Sequence, residues 1–306
     1  MAQPANPVAV ELPAAQPLAR GIPTTERRGG LRRAARQVLG SPLMMFGFGV
    51  MLLLVLVAIF APLLAPSDPT QMQLGQRMRP PSPQHIFGTD DLGRDILARV
   101  IWGARVSLEI GLIVVGLAGT SGFLLGATSG YARGVFDGVV MRLMDIILAF
   151  PPLILAMAIA SFLGPDLNNA MLAIAVVHVP KYTRLARGEA LALREQLYVL
   201  AARSSGASAW RIVTRHIMPN SLASILIVAT LDFGVVILTA ASLGFIGLGA
   251  QPPTPEWGLM VADGRKYLID APWLASFPGL TIMVVVIAAN VFGDGLRDAL
   301  DPRLNG

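Results

Sequence analysis

Runs of apolar residues long enough to cross a bilayer constrain this chain more than any other feature. A hydrocarbon core about 30 Å thick needs roughly 20 apolar residues in a helix, and backbone groups inside it must bond within their own segment. With 54% hydrophobic and 14% charged residues in 306, the chain is too apolar for a soluble domain. It therefore reads as an all-α polytopic membrane protein. The spans fall at about 44–64, 106–129, 139–163, 170–179, 222–249 and 277–292. Pro66 ends the first, and Pro151-Pro152 should kink the third. Gly122, Gly126 and Gly130 leave the second a smooth face for a neighbouring helix.

Charge orients these spans. Arg20, Arg27, Arg28, Arg32, Arg33 and Arg36 precede the first run and hold the N-terminus in the cytoplasm. The stretch 170–179 is short for a crossing, and parity decides its status. Without it, a loop carrying Lys181, Arg184, Arg187, Arg194, Arg203, Arg211 and Arg215 would lie outside, against the positive-inside rule. Counted as a span shielded by its neighbours and running on as an amphipathic helix, it gives six crossings and returns the C-terminus to the cytoplasm. Residues 1–37 read as a disordered cytoplasmic tail with a basic end, and residues 1–19 lack the pattern of a secretory signal. Residues 38–104 hold the first span and an extracytoplasmic amphipathic segment. Residues 105–304 form a core of five spans with a polar loop at 188–220. The net charge of +5 lies near the spans and forms no aromatic-laced basic stripe, so nucleic-acid binding is excluded. The chain has no Cys, hence no disulfide or thiolate chemistry.

The polar loop reads YVLAARSSGASAWRIVTRHIMPN from Tyr198. It predicts a short helix to Ser205, a left-handed turn at Gly206, and a second helix capped by Ser208 and running to about Met218. Pro219 is expected to stop that helix, with Asn220 or Ser221 capping the next. Ala201, Ala202, Gly206 and Ala207 leave the hinge nearly bare, so another backbone can approach it, and Arg211 and Arg215 lie one turn apart. Ala201-Ala202, Gly206 and the Ile217-Met218-Pro219 ending resemble the cytoplasmic loop of permease subunits from binding-protein-dependent ABC importers. There the loop forms the coupling helix that meets the ATPase. Leu200 stands where the general pattern has Glu, as in the peptide-importer branch. An amphipathic loop lying on the membrane surface is the plainer reading.

Further segments sharpen the resemblance. GTDDLGRDILARVIWGARVSL from Gly88, SLGFIGLGAQPPTPEWG from Ser242 and GDGLRDALDPRL from Gly293 look like the second, C-type permease of dipeptide and oligopeptide importers. The first of them, read locally, predicts an amphipathic helix on the outer surface. Thr89 or Asp90 would cap it, Leu92, Ile96 and Val100 would share a face, and Asp90–Arg94 and Asp95–Arg99 would pair. A cation site from Asp90, Asp91, Asp95 and His85 is the weaker alternative, since the carboxylates already have caps or arginines.

The resemblance implies a six-helix type I importer permease fold with a cytoplasmic coupling helix, in a bacterial inner membrane. It also implies a second peptide permease, two ATP-binding subunits carrying ATP and magnesium, and an extracytoplasmic peptide-binding protein. ATPase coupling would fall to Ala201, Ala202, Gly206, Ala207, Ser208 and Arg211. Glutathione and nickel importers share these segments. The chain itself shows no phosphate cradle, HExxH pair or GxSxG elbow, so no cofactor is expected on it and a membrane-embedded enzyme is disfavoured. An ion-coupled secondary transporter would need buried ionisable residues. Asp145, one turn from Arg142, is expected to pair with it, with a place on the translocation path as its other reading. Asp232, mid-span and without a basic residue within one turn, must find a partner on another helix or in a wet cavity, and is a candidate for the translocation path. Glu109 and His178 read as packing or interface groups.

Overall fold

The computed structural model describes residues 42–300; the expected tail at 1–37 lies outside the described residues. The helices are α1 (Pro42–Leu64), α2 (Ile96–Ala132), α3 (Gly134–Leu148), α4 (Pro152–Leu163), α5 (Leu167–Leu193), α6 (Leu197–Ser204), α7 (Ala209–Ile212), α8 (Met218–Ile246), α9 (Trp257–Gly264) and α10 (Trp273–Leu300). Among the described residues the only β feature is one isolated bridge, Thr89 to Asp95. Four stretches are long and apolar enough to cross a membrane, namely α1, α2, Ala209–Ile246 and Trp273–Asp298. The pair α3 and α4 would make a fifth if it forms one broken span. The remaining sequence-counted span, 170–179, lies in α5, whose polar second half keeps it below that threshold.

Helices in lipid gain little by hiding apolar surface from one another, so close backbone approach must hold them together. The α2–α5 contact shows this directly. A methyl group built on Gly122 would meet Val179 O at 2.8 Å, on Gly126 Thr183 O at 2.2 Å, and on Gly130 Arg187 O at 2.7 Å. The facing side of α5 is correspondingly small, with Ala186 and Ala190 fully buried. Around this seam one apolar core joins Ile110, Val114, Ile174, Ile217 and Val236. A second core joins α1, the start of α2, α9 and α10 through Leu54, Ile96, Trp257, Leu274 and Val285. Large apolar side chains such as Leu63, Val135 and Phe162 point outward, as a lipid-facing surface requires.

The third predicted span bends far more than a kink: α3 and α4 meet at 92°. Pro151 and Pro152 have no N–H to continue the helix, and Pro152 instead opens α4.

Two expectations are corrected. No outer surface helix begins at Thr89 or Asp90; the segment 88–95 is an irregular cap, and α2 starts at Ile96 and runs unbroken for 37 residues. Asp90 folds its own turn, with Oδ1 accepting from Leu92 N and Arg94 N at 2.9 Å, which competes with helix formation. Gly93, at φ +74°, lies so close to Gln73 that no side chain fits there. Asp95 caps α2 instead, accepting from Ala98 N at 2.8 Å. Arg99 turns from Asp95 towards Asp90, at 3.7 Å, and donates to Pro69 O.

The second correction concerns Pro219, which does not stop a helix. Residues Val213–Ile217 form a π-turn, with Met218 N donating to Val213 O, and α8 continues from it. The wider turn absorbs the donor that Pro219 lacks. Asn220 and Ser221 bond back to His216 O and Ile217 O, four residues earlier, so neither is a cap.

Candidate functional site

The loop between α5 and α8 folds largely as its residues require. The α6 helix ends in a paired-bond turn, with Gly206 N donating to Arg203 O at 3.0 Å and Ala207 N to Ala202 O at 3.1 Å. Gly206 adopts φ +80°, which closes this turn. Ser208 then accepts from Arg211 N at 3.4 Å. Val199, Ile212, Val213 and Ile217 anchor the hairpin in the core. Its base is tied to the end of α2: Arg194 donates to Tyr131 O at 2.8 Å and Arg133 meets Glu195 at 3.1 Å.

The opposite face of the hairpin is open. Leu197 is 83% and Trp210 65% exposed, with Ala201, Arg203, Gly206, Ser208, Arg211 and Arg215 also exposed and Ala202 and Ala207 half-buried. Among the described residues, its two chain neighbours aside, no atom lies within 4 Å of a methyl group built on Gly206. The six expected coupling residues thus share one turn-and-cap unit, flanked by two large apolar side chains that composition alone did not single out.

A ladder of charges runs along α5. Arg187 clasps Asp137 of α3 through two bonds of 2.6 and 2.7 Å, and Arg184 donates to Asp145 of α3 at 2.6 Å. The expected Asp145–Arg142 pair therefore gives way to Asp145–Arg184: the broken third span lays α3 along α5, where a cross-helix cation is nearer in direction than one on its own helix. Both side chains of that pair are half exposed.

Asp232 completes the ladder from α8. Its side chain is 1% exposed and accepts from two groups of α5: His178 Nδ1 lies 2.7 Å from Oδ2, and Lys181 Nζ lies 2.8 Å from Oδ1. Asp232 thus finds its partners on another helix. His178, expected as a packing or interface group, is an interface group: it is half of this pairing between α5 and α8. The signal was present in the sequence, since His178 and Lys181 are one turn apart and a carboxylate at mid-span demands such a partner.

The end of the molecule away from the hairpin is closed by the cap and α9. Trp257 Nε1 donates to Val100 O at 3.0 Å, Trp273 Nε1 to Thr89 O at 3.3 Å, and Phe87 stacks on Phe277 at 4.0 Å. Glu256 caps α9 by accepting from Gly258 N and Leu259 N, and its burial pushes the carboxyl above the ordinary carboxylate range. His85 bonds Asp95 at 2.8 Å and Asp90 bonds Arg94 at 2.6 Å, so these two of the carboxylates weighed for a cation are committed within the protein, and Asp91 lies 3.9 Å from the same Arg94. Among the described residues no cluster of three or more His, Asp or Glu could hold a metal.

Comparisons with known proteins agree with this architecture. Residues 122–306 match the family described as binding-protein-dependent transport system inner membrane component, and residues 31–81 match the N-terminal TM domain of oligopeptide transport permease C. The chain is 51% identical over 267 residues to the probable D,D-dipeptide transport system permease protein DdpC of Escherichia coli K12, covering 87% of this chain and 90% of that one. It is 48% identical to the dipeptide transport system permease protein DppC of Alkalihalophilus pseudofirmus, over 89% and 90% of the two chains. It is 44% identical to the glutathione transport system permease protein GsiD of an Escherichia coli O6 strain, over 90% of each. In fold it is similar to a chain of the inward-facing MetNI methionine ABC transporter, with a TM-score of 0.54 at 18% identity over 67% of this chain and 98% of that one.

Proposed function

Since this chain belongs to the family of binding-protein-dependent transport system inner membrane components, we propose that it carries di- and oligopeptides across the cytoplasmic membrane. It is a multi-pass permease subunit of an ABC importer and not itself the enzyme. In this reading it crosses six times with both termini and the α6–α7 hairpin in the cytoplasm. Two ATP-binding subunits supply ATP and magnesium, a second peptide permease completes the path, and an extracytoplasmic binding protein delivers the peptide. The peptide assignment follows the relatives named for dipeptide transport. Glutathione is the second substrate to test, because one relative at 44% identity is named for it and glutathione is itself a peptide-like acid.

The observation that carries the coupling role is the open hairpin. A Gly-closed turn free of side chains, flanked by exposed Leu197 and Trp210, is a surface that another protein can cover. Asp232 and its α5 partners lie on the path, and Asp145 with Arg184 guards its cytoplasmic end.

The test is uptake into proteoliposomes holding the complete complex and its binding protein. Dipeptide uptake should need ATP, stop with vanadate and ignore a proton gradient; uptake driven by that gradient without ATP refutes the reading. Gly206→Ala and Gly206→Trp separate coupling from folding. Both strain the left-handed turn by about 1–2 kcal/mol, but only Trp fills the space beyond the chain. Gly206→Trp should abolish uptake and ATPase co-purification while Gly206→Ala keeps most of both.

A further inference from the structure

The chain contains 24 Lys and Arg residues, and only two of them, Lys181 and Lys266, are lysines. One of the two sits on Asp232, fourteen residues from either end of α8, or about 21 Å along the axis from each. Asp232 is 1% exposed, yet the Lys181 side chain bonded to it is 48% exposed. An ammonium has three donors, and one suffices for Oδ1, so the others face the open side. On the six-crossing reading Asp232 lies inside the membrane, where an ammonium facing hydrocarbon would cost roughly 3 kcal/mol or more, so we take the open side to face the polar path between the two permeases.

The carboxylate is also built to let Lys181 go. His178 holds Oδ2 independently at 2.7 Å. The Tyr182 hydroxyl is fully buried beside Asp232, close enough to interact with its carboxylate but, among the described residues, outside ordinary hydrogen-bond geometry with any partner. A small movement would let it donate to the carboxylate in place of Lys181. Lysine suits such an exchange better than arginine, because a point charge on a flexible stem changes partners without losing a two-pronged fit.

Resting on the peptide-permease reading above, we propose that Lys181 is a receiving site for the C-terminal carboxylate of the passing peptide, handed over from Asp232. The site reads the one anionic group that all linear peptides share and ignores their side chains, so it binds without selecting sequence. Lipid head groups carry anions too, and protection by a peptide acid but not by its amide separates the peptide from them.

Amine acylation followed by mass spectrometry tests the contact in the assembled wild-type complex, with Lys266 as internal reference. Alanyl-alanine should slow acylation of Lys181 about fivefold or more while its C-terminal amide leaves it unchanged, and Lys266 should respond to neither. Binding of labelled alanyl-alanine to the complex without its binding protein should weaken about tenfold in Lys181→Gln and much less in Lys181→Arg, the range expected for one charge-assisted bond. Equal protection by acid and amide, no acylation of Lys181 at all, or unchanged binding in Lys181→Gln overturns the proposal. Should Lys181→Gln fail to assemble, the wild-type acylation experiment alone decides. ATP-driven peptide uptake with no role for Lys181 sinks this inference only, whereas absence of any peptide uptake by the wild-type complex sinks the reading beneath it.

Discussion

Replacing Gly126 by Val attacks the seam on which the polar ladder hangs. The added Cβ would lie 2.2 Å from Thr183 O, 2.8 Å from Ala186 Cβ and 2.9 Å from Arg187 N, where ordinary contact begins near 3.4 Å. Two of these three atoms are backbone, so no rotamer change relieves the clash, and α5 must withdraw by about 1.2 Å. Overpacking of this kind costs about 1–3 kcal/mol, and a backbone clash belongs at the upper end. Withdrawal also pulls Lys181 from Asp232 and Arg187 from Asp137, bonds now 2.6–2.8 Å long. At roughly 2–4 °C per kcal/mol, the purified complex should lose about 5–10 °C of thermal stability, with peptide uptake falling too. Gly188→Ala, on α5 but with no atom of another element among the described residues within 4 Å, is the matched control and should be neutral or up to about 1 kcal/mol stabilising. Melting followed by size-exclusion of a fluorescent complex gives the comparison. If Gly126→Val melts with Gly188→Ala, close α2–α5 packing does not hold this fold together.

In this Cys-free chain, a cysteine at Ser208 should resist an impermeant thiol reagent in intact cells and react in inverted vesicles; labelling in intact cells would rule out the proposed orientation. Asp232→Asn keeps the side-chain volume and one acceptor oxygen, so the complex should assemble while transport changes several-fold; lost assembly with normal transport by the surviving complex would make Asp232 structural. Because burial holds Glu256 above its unfolded value, the fold favours its protonated form, and its contribution to stability is complete below about pH 4.3 and lost as pH rises through the folded value. Wild-type melting should therefore fall, relative to Glu256→Gln, as pH rises over that window, and parallel profiles would refute the assignment.

Some features were settled by the sequence alone because their causes are local. Apolar length dictates spanning helices, the Gly122-Gly126-Gly130 spacing dictates a close helix contact, and Gly206 after a short helix dictates a left-handed closing turn. Each depends on residues within a few turns of one another; the close contact and the turn stand as read, while among the described residues four of the six counted spans, or five with the bent pair, are long and apolar enough to cross. The hairpin residues from Ala201 to Arg211 were legible for the same reason.

Tertiary structure decided the rest, where two local rules competed or a partner lay far along the chain. Asp90 had both a helix cap and an arginine available; its own turn won, and Asp95 took the cap. Pro219 should have ended a helix, but a π-turn anchored by buried Ile212, Val213 and Ile217 carried the chain through. Asp145 chose Arg184 over Arg142 because a 92° break lays α3 along α5. The requirement that Asp232 be paired was written in the sequence, since a carboxylate cannot stay alone in hydrocarbon. Which groups pair with it, His178 and Lys181 more than fifty residues away, depended on how α5 and α8 pack, and only the folded chain could fix that.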